Sequence, residues 1–306
     1  MRRGIVLGIL LAIGALSVAV AALQQPATQE MVITVEKVKD NLYVLRGGGG
    51  NTAVFVTGNG TVVVDTKNPG WGKPLLEKIK TLTDKPVTMI INTHTHGDHV
   101  SGNVEFPTNV DIVTQENTKT NMEQMRAVTG LQTGVQPNIF TENGGKGLPK
   151  RTFKDKMTLG KGADQIDLYY FGRAHTGGDA FVVFPSLHVV HVGDTFAGKT
   201  LPIMDANNGG SGVEYANTLM KASKGIPSFD LIINGHTPAN TTPAEMAEYT
   251  EFIREFVTTV QAAKKAGKTV DDVVNTWSTP EKYKGYPAAD KNRVRADAQV
   301  IWDETK

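Results

Sequence analysis

Residues 87–99 read Val-Thr-Met-Ile-Ile-Asn-Thr-His-Thr-His-Gly-Asp-His. The first part is a short continuous apolar run with β-branched residues, the pattern of a strand buried on both faces. Its end carries three of the chain's seven histidines within six positions. His94, His96 and Asp98 alternate, so extended backbone sends their side chains to one side, while His99 must point elsewhere. One short loop thus offers ligands in two directions, which suits two adjacent metal ions better than one. It sits at the carboxyl end of a buried strand, where α/β sheets place their ligands.

Outward from this stretch the chain alternates strand-like and helix-like signals. Upstream, residues 32–38, 41–45, 51–57 and 61–65 are short, rich in β-branched residues and separated by Gly or Asn turns. Residues 71–81 carry apolar side chains at helical spacing. Downstream, residues 165–171, 180–185 and 187–192 read as strands. Ser211 and Glu214 form a capping-box pattern opening a helix to about residue 223. Residues 229–234 are another buried strand, ending before His236. Helices are expected from 243 to about 266 and over the last twenty residues. With no linker or short repeat, the reading is one α/β domain of two packed sheets with helices outside.

Bulk properties narrow the function. The 306 residues carry 32 basic and 31 acidic side chains, a formal charge of +1, which argues against a nucleic-acid binder. There is no cysteine, so disulfides, thiolate ligands and cysteine nucleophiles are excluded, and any metal must be held by nitrogen and oxygen. Met1-Arg2-Arg3 is followed by an uncharged run from Ile5 to Leu23, and Ala19-Val20-Ala21 has the small-x-small form of a cleavage site. The expectation is a signal peptide over 1–21, a polar spacer over 22–30 and the folded domain over 31–306, exported to the periplasm or beyond. A retained membrane anchor is the alternative, and would be the chain's one contact with a membrane.

The other histidines sort by position. His175 lies in Gly-Arg-Ala-His-Thr-Gly-Gly-Asp, a loop between strands, and His236 follows Asn234-Gly235. Both are at strand ends, as the cluster is. His188 and His191 fall inside the strand expected over 187–192 and are read as structural. Asp194 ends that strand; alone, an aspartate there is more often a turn or capping residue, and its value depends on its company.

Together these residues resemble the metallo-β-lactamase superfamily. His-Thr-His-Gly-Asp-His fits its H-x-H-x-D-H signature, and His175, Asp194 and His236 follow in the family's order. Thr-Val-Val-Val-Asp-Thr, ending in Asp65 and Thr66, resembles its first motif. The resemblance implies a four-layer αββα sandwich and two zinc ions roughly 3.5 Å apart. His94, His96 and His175 would hold one. Asp98, His99 and His236 would hold the other, with Asp194 bridging the pair and Asp65 orienting a ligand from behind. Nitrogen and oxygen ligands also suit iron, manganese or cobalt.

The resemblance further implies a dinuclear zinc hydrolase, in which a water acidified by the metals attacks a carbonyl and Asp98 accepts or relays the proton. A residual positive charge at the site would favour a small anionic substrate. Asp194, where other members place a thiolate, resembles the ligand set of glyoxalase-II-type thioesterases and lactonases. The expected substrate is therefore a lactone, ester or thioester. A periplasmic β-lactamase is the alternative, and a zinc-containing accessory protein without turnover is the second.

Three further stretches leave two readings each. Arg46-Gly-Gly-Gly-Gly-Asn51 is a flexible hairpin turn or a mobile flap over the site. Trp71 walls the pocket or packs in the core. Met122, Met125 and Val128, with the Gly- and Pro-rich segment to Pro149, form a loop that serves as a substrate lid or only as a connection.

Overall fold

Runs of β-branched residues whose alternate members are buried build two sheets, and the faces they bury decide how the sheets stack. The computed structural model describes residues 31–131 and 137–306, with Ile33–Lys306 in one compact unit. The signal peptide and spacer expected over residues 1–30 lie outside the described residues.

The first sheet holds seven strands side by side in chain order: β1 (Thr34–Lys39), β2 (Leu42–Arg46), β3 (Thr52–Thr57), β4 (Gly60–Val64), β5 (Val87–Ile91), β6 (Asp111–Gln115) and β7 (Arg151–Phe153). Strands β1 to β4 pair antiparallel, and β4 to β7 pair parallel. The second sheet holds β8 (Lys156–Leu159), β9 (Ile166–Tyr169), β10 (Phe181–Phe184), β11 (Val189–His191) and β12 (Leu231–Ile233). Only β11 and β12 are parallel there.

Alternation sorts the side chains into layers. Val62 and Val64 of β4 and Phe55 of β3 face the second sheet, where they meet Leu168, Val182 and Phe184. Phe55 and Phe184 pack with ring centroids 5.1 Å apart. Val54, Val63 and Ile90 face the other way, onto Leu75 and Ile79 of helix α1 (Gly72–Lys80). The far face of the second sheet, with Phe181, Val183 and Val190, is covered by four helices. These are α5 (Gly212–Gly225), α6 (Pro243–Lys265), α7 (Val270–Thr276) and α8 (Lys291–Glu304). Between the strands run three further helices, α2 (Gly97–Val100), α3 (Glu116–Gln124) and α4 (Ile139–Glu142). The result is the expected αββα sandwich, each fully buried Val, Leu or Phe contributing about 1.5–3 kcal/mol.

Two local expectations are corrected. The strand over 187–192 shortens to Val189–His191, because Pro185–Leu187 forms a single 3₁₀ turn closed by His188 in the left-handed conformation, φ 55°. His188 is therefore exposed and outside the strand. Residues 87–91 are buried on both faces only at Ile90 and Ile91, where the strand approaches the histidine loop.

Among the described residues, no helix is long and apolar enough to cross a membrane.

Candidate metal centre

Three strands deliver candidate ligands at their carboxyl ends, β5 from one sheet and β11 and β12 from the other, while β4 delivers Asp65 behind them. After β5 the chain bends at Thr93–His94, is extended at His96 and then turns into α2, so His94 and His96 precede the helix and Asp98 and His99 lie in it. Asp194 follows β11 in a 3₁₀ turn, Gly193–Phe196, and His236 follows β12. His175 enters from the loop between β9 and β10. All seven sequence-derived candidates converge. The ligand atoms of His94, His96, His175 and Asp194 lie within 4.8 Å of one another, as do those of Asp98, His99 and His236. Asp194 Oδ2 is 3.2 Å from His236 Nε2 and 3.7 Å from His175 Nε2, so it reaches both groups.

The outer hydrogen bonds fix which ring nitrogen faces inward. His99 Nδ1 donates to Asp65 Oδ2 at 2.7 Å, and His175 Nδ1 donates to the Ile203 carbonyl at 2.7 Å. Thr93 Oγ1 gives its proton to Asp65 Oδ2 and so accepts from His94 Nδ1, at 3.0 Å. His96 Nε2 donates to Asp205 Oδ2 at 2.8 Å. Each of these rings thereby turns a bare nitrogen toward the centre, the tautomer a metal ligand needs. The bare nitrogens of His96 and His175 stand 3.0 Å apart. His94 Nε2 is buried without a partner, and Asp194 Oδ1 lies 3.3 Å from His99 Nε2 without forming a hydrogen bond. Buried lone pairs facing one another are costly unless a cation lies between them, so the donor set fits divalent metal.

The electrostatics divide the cluster, keeping His94 and His175 neutral and drawing a proton toward His99 and His236 beside the carboxylates. Burial, then the neighbouring His99, holds the His94 pKa well below the ordinary imidazole range, and burial and His96 bring His175 down to about 4. Burial also opposes charge on His99, but Asp194, Asp98 and Asp65 outweigh it and raise that pKa well above normal. His236 is less enclosed, and burial yields there to hydrogen bonds that its ring donates to Asp194 and Asp98, raising it to about 9. For Asp98 burial is outweighed by His99 and His236, which hold it at about 2.

Asp65 lies where the first motif implied, at the end of β4, its carboxylate bonded to His99, Thr93 Oγ1 and Thr93 N. It takes a positive φ of 63°, as does Lys67 at 74°. A non-glycine residue in this region costs about 1–3 kcal/mol and is held there by its surroundings. His191 is buried with both nitrogens satisfied, by the Asn51 carbonyl and the Gly193 amide, and burial lowers its pKa. Neither it nor exposed His188 joins the cluster.

Two contributors were invisible to the sequence. Asp205 is fully buried; besides His96 it accepts from Thr129 N, Thr129 Oγ1 and Asn208 Nδ2. Lys67 is also fully buried, donating to the Leu45 and Gly50 carbonyls. An isolated aspartate in Met-Asp-Ala-Asn and a lysine before Asn-Pro carry no pattern. The Arg46–Asn51 segment is the hairpin connection between β2 and β3, as one of its two readings had it, but not a free turn. It is a packed strap: Gly50 N donates to the Asp98 carbonyl, and a Cβ on Gly50 would strike the His99 ring. Trp71 packs beneath the strap at Gly48 and within the outer core. The cavity beside the centre, about 270 Å³, is lined by His96, Asp98, Asn68, Pro69, Met125 and Arg126, with Val128 and Ile139 among its apolar residues. Met122 is buried away from it, in a small cluster with Phe140.

A sandwich of two sheets with a histidine-aspartate cluster at the strand ends is the architecture of a metal-dependent hydrolase. The family model described as metallo-beta-lactamase superfamily matches residues 45–240, and the chain belongs to that superfamily. Metallo-beta-lactamase type 2 of Elizabethkingia meningoseptica is 27% identical over 224 residues, 67% of this chain and 78% of that protein. Metallo-beta-lactamase IND-1 of Chryseobacterium indologenes is 23% identical over 65% of this chain and 80% of its own length. In fold, the chain resembles a metallo-beta-lactamase from Pontibacter korlensis, with TM-score 0.58 at 19% identity, over 73% of this chain and 99% of the other. The DIM-1 metallo-beta-lactamase is similar at TM-score 0.57 and 17% identity, over 73% and 97%.

Proposed function

We propose that this hydrolase acts on small carboxylic-acid derivatives, lactones or other esters before thioesters. In this reading His94, His96 and His175 would hold one zinc ion and Asp98, His99 and His236 a second, with Asp194 in reach of both groups. The observation that carries it is the set of bare, buried nitrogens locked inward by Asp65, Thr93, Asp205 and the Ile203 carbonyl. When bound, the cations polarise a carbonyl and acidify water enough to supply a nucleophile near neutral pH.

The chain's own residues supply the rest. Asp98 is ionised, partly exposed and on the cavity wall, so its carboxylate can take the proton released during attack and pass it to the leaving group. Pro69, Met125, Val128 and Ile139 would receive the apolar part of an acyl group and exclude water from it. Asn68 and Asn208 offer amides for orientation, and Arg126 at the same wall supports a substrate bearing an anionic group. Residues 1–23, with their basic start and uncharged run, support export of the enzyme.

A carboxylate at Asp194 and the absence of cysteine favour lactone and ester substrates. β-Lactam hydrolysis is the second reading, favoured by the names of the relatives at 27% and 23% identity. Metal-replete protein assayed against a lactone, a chromogenic ester and a chromogenic cephalosporin separates the two. A kcat/KM for lactone or ester about tenfold or more above that for the cephalosporin, 1.4 kcal/mol in barrier, supports the first. The reverse order supports the second, and no turnover by protein holding two metals leaves a binding or accessory role.

A further inference from the structure

We infer that Lys67 is a positioning residue that, through the glycine strap, seats the Asp98–His99–His236 half of the centre and so decides whether a second cation is held. This rests on the two-cation reading above.

A lysine with no exposed surface normally ends on a carboxylate. The Lys67 amine ends instead on two carbonyls, Leu45 O at 2.9 Å and Gly50 O at 3.0 Å, at the two ends of the strap. Asp65, Asp98 and Arg46 are the charged groups near it, and burial brings its pKa down to about 7. The backbone of the same segment holds the opposite side. Thr66 N donates to the His99 carbonyl at 2.7 Å, and the Lys67 carbonyl accepts from Gly102 N at 3.2 Å. Lys67 thus stands between the strap and the helix carrying Asp98 and His99.

The strap passes this placement on. Gly50 N bonds the Asp98 carbonyl at 3.0 Å, and its Cα rests on the His99 ring with no room for a side chain. A side chain on Gly49 would strike the Asp98 carbonyl, and at φ 119° Gly49 adopts a conformation that other residues avoid. Asn51 N bonds Gly235 O at 2.7 Å, and Asn51 Nδ2 bonds Asn234 O and Thr237 O, so Asn51 brackets His236 on both sides. All three residues of this half therefore touch the strap or flank its contacts. His94, His96 and His175 are oriented by Thr93, Asp205 and Ile203, none of which bonds to the strap. Loosening the strap should act on one half of the centre only.

The test is metal titration of the chelator-stripped full chain with Co2+ and Zn2+, following stoichiometry, stepwise affinity and the cobalt absorption bands. Lys67→Met keeps the side-chain length and removes the donor; Gly50→Ala disturbs the His99 contact without touching the amine and stands in if Lys67→Met does not fold. Wild type should bind two equivalents. Each variant should bind the first within about threefold of wild type and the second about 10–100-fold more weakly, the range for outer residues that orient ligands. Lys67→Arg, which keeps donors toward the strap carbonyls, should recover part of the second affinity. Equal weakening of both equivalents, as from general loss of structure, or no change in either variant, overturns the inference. A wild type that binds fewer than two equivalents overturns the two-cation reading itself, and the inference with it.

Discussion

His94 and His188 carry the same imidazole; the difference lies in what surrounds them. His94 is buried, bonded outward through Thr93 and left with a bare Nε2 toward the centre, whereas His188 is exposed and its ring bonds the Ser228 carbonyl at the surface. His96→Ala or Asp98→Ala should abolish turnover, and His188→Ala should keep it within about twofold of wild type, as for surface changes away from any site. Equal loss from all three would contradict the assignment. Asp205→Ala removes the acceptor that fixes the His96 tautomer and should weaken metal retention about 10–100-fold in chelator competition, with Asp205→Asn in between. At this scale the sequence was most legible where ligands alternate over a few positions, as in His94 to His99. It was silent where a contact spans 109 residues, as between His96 and Asp205, because nothing local to an isolated aspartate marks it. His188 misled because residues 187–192 have β-propensity, while the preceding proline and a left-handed turn decide the local backbone.

Elements carry the site through where they end. The parallel pairs β4/β5 and β11/β12 stop in register, so Asp65, the histidine loop, Asp194 and His236 arrive at one rim. Strand positions were readable from β-branched runs; the helix expected from Pro243 forms as α6, opened by a capping box that the sequence reading did not single out. In α6 both halves of the box form, Thr242 Oγ1 with Glu245 N and Glu245 with Thr242 N. Thr242→Ala should cost about 1 kcal/mol, lowering Tm by about 2–4 °C, with activity unchanged at 25 °C. The packing of α8 carries a pH dependence. Asp297 is fully buried, accepts from Met204 N at 3.3 Å, and leaves Oδ2 unpartnered. Burial raises its pKa from 3.8 to about 8 against the pull of Arg293. The folded state therefore keeps a proton that the unfolded chain loses, so this group's contribution is greatest below about pH 4 and declines as pH rises to about 8. Asp297→Asn removes that decline: its Tm relative to wild type should rise steadily over this window, and a constant difference would contradict the assignment.

Over the whole molecule, each half of the centre takes ligands from both sheets, and the glycine strap crosses from the first sheet to the His236 loop of the second. That crossing explains why a segment readable only as a turn or flap proved rigidly bonded: its partners come from chain 183 residues away. A centre that no single element completes should couple metal to stability. Stripping the protein with chelator should lower Tm, and adding zinc should restore it in a concentration-dependent way, since a ligand of the folded state alone stabilises by mass action. The central claim, a hydrolase whose turnover needs both halves of the centre, is tested most directly by lactone hydrolysis during zinc titration of the stripped chain. The account predicts no turnover without metal, little after one equivalent and full activity after the second, with Asp98→Ala inactive throughout. Hydrolysis that survives chelation, or that persists in Asp98→Ala at two equivalents, would contradict it.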